Sequence, residues 1–380
     1  MSARPIKISP FLFFLAFWQI SAAEIPAGLE EKLREALELR PDSVETNYNL
    51  GEYYLHTGKL LEGIPYMERA QAADPSNSVA GYDLALAYFK VRDYDKARDR
   101  IRTILGKQDS ADLRSLLADA EEAAGDYIAA ANEYQRAARM DPSEARIFDW
   151  GSEMLVHKNY QAAVRVFARG VELHAKSAKL NAGLGIARYL GGNAESAIKP
   201  LCSATDLDPT ASWPYVFLGK INDVPPPYAE DVEKRLKRFA DLQPNNPNAL
   251  FYFAKSKWKR TQSAEANVTD VESLLKRAIA LDPKFGDAYF QLGVLHSEQH
   301  NYPAAIEDFQ RAIALQSNLT TAHYQLGRVY LRKGDKSQGE QELKMFESLR
   351  KQDQAEEDKE RYQVNQFVIT MKEQPPEGAK

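Results

Sequence analysis

The strongest constraint on this chain is a small residue that returns at near-constant intervals. Gly51, Ala85, Ala118, Gly151, Gly185, Gly219, Ala254, Gly293 and Gly327 are separated by 34, 33, 33, 34, 34, 35, 39 and 34 positions. Each follows a bulky apolar residue, such as Leu50, Trp150 or Leu326. Dividing 380 residues by ~150 per domain would predict two or three globular cores. A period this regular replaces that division. The better divisor is one unit of about 34 residues, and such a unit buries its apolar surface only against its neighbours.

Within a unit, Leu50, Gly51 and Tyr54 fall on one face of a helix, as do Leu292, Gly293 and His296. Twelve residues after the small residue comes a second constellation: Ala130, Tyr134, Ala137 and Pro142; Ala197, Leu201, Ala204 and Pro209; Ala305, Phe309 and Ala312. Gly125-Asp126, Gly192-Asn193 and Gly334-Asp335 stand between the two stretches, where a left-handed C-cap is required. Asp-Pro pairs at 74–75, 141–142, 208–209 and 282–283 end the second helix. No alternating apolar–polar strand pattern occurs, so the expected class is all-α.

These residues resemble the tetratricopeptide repeat (TPR), whose pattern is W-x2-L-G-x2-Y, then A-x3-F, then Pro. The resemblance covers roughly residues 44–350 and implies a right-handed superhelical solenoid of antiparallel helix pairs with terminal capping helices. Nine units are expected, at about 44–77, 78–110, 111–143, 144–177, 178–211, 212–246, 247–285, 286–319 and 320–350. Residues 24–43 read as an N-terminal capping helix, since Leu29, Leu33, Ala36 and Pro41 repeat the second-helix pattern. The stretch from Ser337 to about Tyr362 reads as one long helix with a polar, solvent-facing end. Residues 351–380 are then a polar helical extension running into a disordered tail from about 364. Two units depart from the pattern: Val224-Pro-Pro-Pro-Tyr228 separates the helices of the sixth, and the turn of the seventh is enlarged to about Thr261–Asp270.

The first 23 residues are of another kind. Arg4 and Lys7 precede an apolar run from Phe11 to Trp18, followed by small residues at Ser21 and Ala23. Those are the parts of a secretory signal peptide, and the run falls short of the ~20 residues that span a bilayer. Export to a periplasm or the medium is expected, with an uncleaved membrane anchor as the alternative. No further apolar run predicts a transmembrane span in the mature chain. A net charge of −5 argues against a nucleic-acid partner. The single Cys202 excludes an intramolecular disulfide and any multi-cysteine metal site, and reads as a buried thiol. Asn267 and Asn318 lie in glycosylation acceptor triplets, which matter only in a eukaryotic host.

In proteins of the resembled family the first helix of each unit forms a concave wall that holds an extended peptide or a partner helix. The positions three before the small residue are Tyr48, Tyr82, Ser115, Phe148, Ala182, Val216, Phe251, Phe290 and Tyr324, six of them aromatic. They either present aromatic area to a partner or pack on the preceding unit. One after the small residue stand Glu52, Leu86, Asp119, Ser152, Ile186, Lys220, Lys255, Val294 and Arg328. Acids occupy the early units and bases the late ones. With Trp258, Lys259 and Arg332, the late half is expected to grip an acidic or C-terminal segment, or else to be an ordinary solvated face. The chaperone-binding subtype carries a Lys/Asn clamp at these sites; Tyr48, Glu52, Tyr82 and Leu86 stand there instead, so a co-chaperone role is not expected.

Catalytic signatures are missing. His296-Ser-Glu-Gln-His300 has its acid displaced from the zinc-protease spacing, and Gly183-Leu-Gly185 lacks the third glycine of a dinucleotide loop. Acidic pairs such as Glu121-Glu122 read as helix-surface residues. The chain is therefore expected to be a non-enzymatic scaffold that binds a protein or peptide and uses no metal or cofactor. The alternative is an envelope-assembly component that binds glycan or peptidoglycan through the wall aromatics. Oligomeric state is not readable from the sequence.

Overall fold

The computed structural model describes residue 26 and residues 28–261, 265–350 and 354–373. The expected signal peptide, the middle of the enlarged turn and the extreme C-terminus lie outside the described residues. Among those described, every regular element is a helix, and no helix is long and apolar enough to cross a membrane. The chain divides into two compact units at the Asp141–Pro142 junction.

The first unit opens with α1 (Leu29–Leu39) and continues with three hairpins: α2 (Val44–His56) with α3 (Leu60–Ala73), α4 (Ser78–Lys90) with α5 (Tyr94–Leu105), and α6 (Ala111–Ala124) with α7 (Tyr127–Met140). The second unit has six: α8 (Glu144–Val156) with α9 (Tyr160–Leu173), α10 (Ala178–Leu190) with α11 (Ala194–Leu207), α12 (Ser212–Lys220) with α13 (Pro226–Leu242), α14 (Pro247–Thr261) with α15 (Glu265–Leu281), α16 (Gly286–Glu298) with α17 (Tyr302–Leu315), and α18 (Thr320–Lys333) with α19 (Lys336–Arg350). A last helix, α20 (Gln354–Glu373), follows.

The small residue explains the hairpin. A Cβ on Gly185 would stand 2.5 Å from Leu201 Cγ and 3.2 Å from the Leu201 backbone nitrogen. The facing helix could not yield to it without moving its main chain, so the tight α10–α11 contact requires glycine. The bulky residue of the second constellation fills the gap: Tyr134, Phe167, Leu201, Phe239 and Phe309 are all buried.

The turns are equally economical. In seven hairpins the first residue beyond the turn donates its backbone N–H to the carbonyl five residues earlier, as in Asp126 to Glu121 at 2.9 Å and Asn193 to Arg188 at 2.9 Å. This closure needs a left-handed residue just before the donor. Gly125 (φ 89°), Gly192 (φ 82°) and Gly334 (φ 95°) supply it as expected; Arg92, Lys158 and His300 hold the same conformation without being glycine. The donor's side chain then caps the next helix: Asp126 Oδ1 accepts from the Ala129 N–H at 3.1 Å and Asn193 Oδ1 from the Ser196 N–H at 3.1 Å. One residue closes one helix and opens the next.

Two expectations need revision. The region expected as a loop over 261–270 is largely helical, because α15 already begins at Glu265. The helix expected from Ser337 to Tyr362 is seen as α19 up to Arg350 and as α20 from Gln354, and residues 351–353 lie outside the described residues. Order also persists beyond 364, where disorder was expected: Val364, Phe367 and Val368 are buried. Their spacing on one helical face gives α20 an apolar stripe that must be covered.

Candidate functional site

First helices lie side by side within each unit: α2, α4 and α6 in the first, and α8, α10, α12 and α14, and again α16 and α18, in the second. Among the described residues, α11 and α13 are the second helices that come nearest to one another. The row whose members sit closer together is the inner side of a curved stack, so the first helices form the concave wall within each unit.

On the first unit's wall the Tyr48 hydroxyl donates to Asp83 Oδ2 at 2.6 Å. Glu52, one turn beyond Tyr48, lies 3.7 Å from His56. Both carboxyls are held above the ordinary range, chiefly by burial, and Glu52 further by the Asp83 charge. Tyr82 packs half-buried onto the α4–α6 core. Asp119 accepts from the Tyr134 hydroxyl of α7 and so faces its own hairpin partner. Glu121, expected on a helix surface, is instead 1% exposed and held by Arg98 at 3.1 Å and Arg102 at 2.5 Å. Neighbouring acids in one sequence could not show that two arginines on α5 close over the first of them.

On the second unit's wall Phe148 is 1% exposed, with ring centroids 5.9 Å from Phe167 and 5.7 Å from Phe367. The late cations are not a row of free charges. α12 stops after nine residues, leaving carbonyls at its C-terminal end without helical partners. Lys255 from α14 donates to the Gly219 carbonyl at 3.2 Å, and Lys259 donates to the Asn222 carbonyl. They flank a cavity of about 520 Å³ lined also by Pro225, Pro226, Val232 and Leu236. Burial, with repulsion from Lys259 and Lys220, pushes the Lys255 ammonium down to about 8. Lys220 sits 5.3 Å above the Phe217 ring and donates to Gln363 of α20. Trp258 is buried on α14, and Phe251 is packed between Tyr252 and Phe285, each 5.1 Å away. Phe290 leans on Phe309 at 5.8 Å. Tyr324 is exposed beside Phe346, with Arg328 5.5 Å from its ring centroid, and Arg332 is exposed in the last turn of α18.

Lys220, Lys255 and Lys259 thus meet around the end of α12, whereas Arg328 and Arg332 stand on α18, three hairpins further on. His296 belongs to neither group. Its Nδ1 lies 2.6 Å from Asp308 and its Nε2 3.6 Å from Glu272, so the ring bridges α15 and α17. Cys202 is a free, buried thiol that burial pushes up to about 11.

The residues missed from the sequence lie on α20, which packs on α8. Their signal was the Val364, Phe367, Val368 spacing, hidden behind a long polar run.

Residues 57–120 match one family model described as Tetratricopeptide repeat, residues 30–78 and 148–212 a second, residues 274–307 a third, and residues 297–334 one described as TPR repeat. Together they cover more than half of the chain. The TPR repeat-containing protein YpiA of Bacillus subtilis (strain 168) is 24% identical over 288 residues, 74% of this chain and 59% of that protein. The tetratricopeptide repeat and J domain-containing co-chaperone DNJ1 of Cryptococcus neoformans var. grubii is 26% identical over 94 residues, 25% of this chain and 18% of that protein. The chain spans less than two thirds of either curated relative. Among solved structures, the C-terminal part of a TPR repeat-containing protein from Cytophaga hutchinsonii aligns with a TM-score of 0.48 and 14% identity over 73% of this chain and 99% of that one. YrrB, described as a TPR protein with an unusual peptide-binding site, aligns with a TM-score of 0.41 and 20% identity over 49% of this chain and 96% of that one.

Proposed function

The chain belongs to the tetratricopeptide repeat family, and from that premise we propose that it is a non-enzymatic scaffold whose first-helix wall holds a partner protein. The observation that carries this reading is the contiguity of α8, α10, α12 and α14, which presents one uninterrupted side-chain surface. The groups on it that could do chemistry are already engaged: Lys255 and Lys259 hold carbonyls, and Phe148 and Phe251 are buried. Burial leaves Phe148 and Phe251 no open face for a sugar ring, which weakens the glycan alternative at those two positions. The lysine pair does not supply specificity for an acidic segment, because its ammonium groups are spent on the end of α12. We further propose that residues 1–23 direct export.

Photocrosslinking residues placed at Tyr324 and Arg332 on the wall, and at Leu207 and Leu281 on exposed positions of second helices, test both proposals in the native host. Partners are expected to crosslink from the wall positions, and the recovered chain is expected to begin at Glu24. Equal crosslinking from both sets removes the wall as the binding surface; a chain beginning at Met1 removes cleavage.

A further inference from the structure

Resting on the scaffold reading, we propose that the wall of the second unit recognises an amphipathic helix, and that α20 occupies that place as the chain's own ligand until a partner helix displaces it.

Three contacts fix how α20 lies. Lys220 near the end of α12 donates to Gln363, and Trp213 near its start donates through Nε1 to Thr370 Oγ1 at 3.4 Å. Each pair of contacts is separated by seven residues, about two turns or roughly 10 Å of either helix. The order is reversed, so α20 runs antiparallel to α12 with matched rise. Between the two polar contacts Phe367, wholly buried, reaches the Phe148 ring on α8 at 5.7 Å. α10 lies between α8 and α12, so the helix is seated on the face that these first helices share.

The fit specifies the partner. A helix that takes this seat presents apolar residues at the spacing of Val364, Phe367 and Val368, with an aromatic ring at the middle one for Phe148. A hydrogen-bond acceptor one position before the first apolar residue meets Lys220. Helix-in-groove recognition uses this combination of apolar anchors and a flanking polar contact. The hold of α20 is poised for exchange. Among the described side chains of α20, three buried apolar ones must offset the ordering of a twenty-residue helix, the outer face keeps Tyr362 and Ile369 in solvent, and the Trp213 bond is long. A partner with a longer apolar stripe wins the seat, and the occupied fraction of α20 sets its apparent affinity.

The test uses the full chain in three forms: wild type, Phe367→Asp and Gln363→Glu. The first substitution puts a charge where no water reaches, while leaving every residue of the hairpins unchanged. The second exchanges an amide for a carboxylate opposite Lys220 and tightens the self-contact. Binding of a fluorescein-labelled peptide of residues 354–373 is read by anisotropy. The released chain is expected to bind at least about tenfold more tightly than wild type, and Gln363→Glu less tightly than wild type. Equal affinities in all three chains, or no binding to Phe367→Asp despite native helicity, overturn the proposal. So does a wild-type dimer that Phe367→Asp renders monomeric, because the seated helix then comes from a second copy. Partners crosslinked equally well to wild type and Phe367→Asp would overturn the displacement while leaving the scaffold reading intact. No partner on any form removes the scaffold reading instead, independently of the peptide result.

Discussion

In the first unit the wall built by α2, α4 and α6 is half-buried and acidic; in the second the wall built by α8, α10 and α12 is apolar and cationic, and α20 lies against α8 and α12. The repeat position is the same in both. Three residues before the small residue stand Tyr48 and Tyr82 in one unit and Phe148 in the other. Tyr48 spends its hydroxyl on Asp83 and remains half-exposed, while Phe148 has no polar end and lies under α20. Position in the repeat decides where a side chain points. Its chemistry, and what the chain lays on top of it, decide what it does there.

The largest expected effect tests that contrast directly. Phe148→Ala removes a ring buried between two others and should cost about 3–4 kcal/mol, in the range for buried Phe truncation. Tyr82→Ala, at the same repeat position but half-buried, should cost about half as much, in proportion to the apolar area it shields. Denaturant unfolding, with hydrogen exchange to localise each loss, measures both. Comparable costs for the two would mean that α20 adds nothing to the burial of Phe148.

A second contrast lies in the sign of the buried charge. Lys255 has a folded pKa of about 8, below its ordinary value of 10.5. The folded state therefore binds fewer protons than the unfolded one, the penalty is complete below pH 8, and it fades as pH rises toward 10.5. Lys255→Met should stabilise the chain by about 1 kcal/mol at pH 7, less the stranded Gly219 carbonyl, and progressively less by pH 9.5. Asp83 is shifted the other way, above its ordinary 3.8. Its penalty is present above the folded pKa and vanishes as pH falls through it toward 3.8. Asp83→Asn keeps an acceptor for Tyr48 and should stabilise by roughly 0.5 kcal/mol at pH 7, with no gain near pH 4. Unfolding of each variant against wild type across pH reads both slopes. Two slopes of the same sign would break the opposition between the walls.

Much of this architecture was legible because it repeats. The small residues, the Gly-Asp and Gly-Asn turns and the Asp-Pro stops each report a local steric demand, and their recurrence makes the demand visible. The wall's inventory was legible too, since Lys220, Lys255 and Lys259 do converge. What escaped was the use of those groups, which depends on partners far along the chain. Whether Lys255 is free depends on α12 ending at Lys220, and whether Phe148 is free depends on a helix more than two hundred residues away. Glu121 escaped for the same reason, since its two arginines sit on another helix. The C-terminal stripe was present in the sequence, but the polar run before it made the region look like a solvated end.

The smallest expected effect separates the repeat's backbone demand from its side chains. Arg92 and Gly192 hold equivalent turn positions, in the first and second units, at φ 64° and 82°. A non-glycine residue in this left-handed region costs about 1–2 kcal/mol, whereas glycine pays a larger unfolded-state entropy of about 0.5–1 kcal/mol. Arg92→Gly should therefore stabilise by roughly 0.5 kcal/mol, and Gly192→Ala should destabilise by a similar amount, as the difference between those two figures requires. No neighbouring atom lies within 4 Å of a Cβ placed on Gly192, so its substitution reports backbone strain alone. Paired denaturation midpoints test this. Opposite shifts of similar size mean that both units draw on one turn geometry whatever their walls carry. A shift in only one means that the wall's chemistry reaches the turns, and the difference between the units then extends to their backbone.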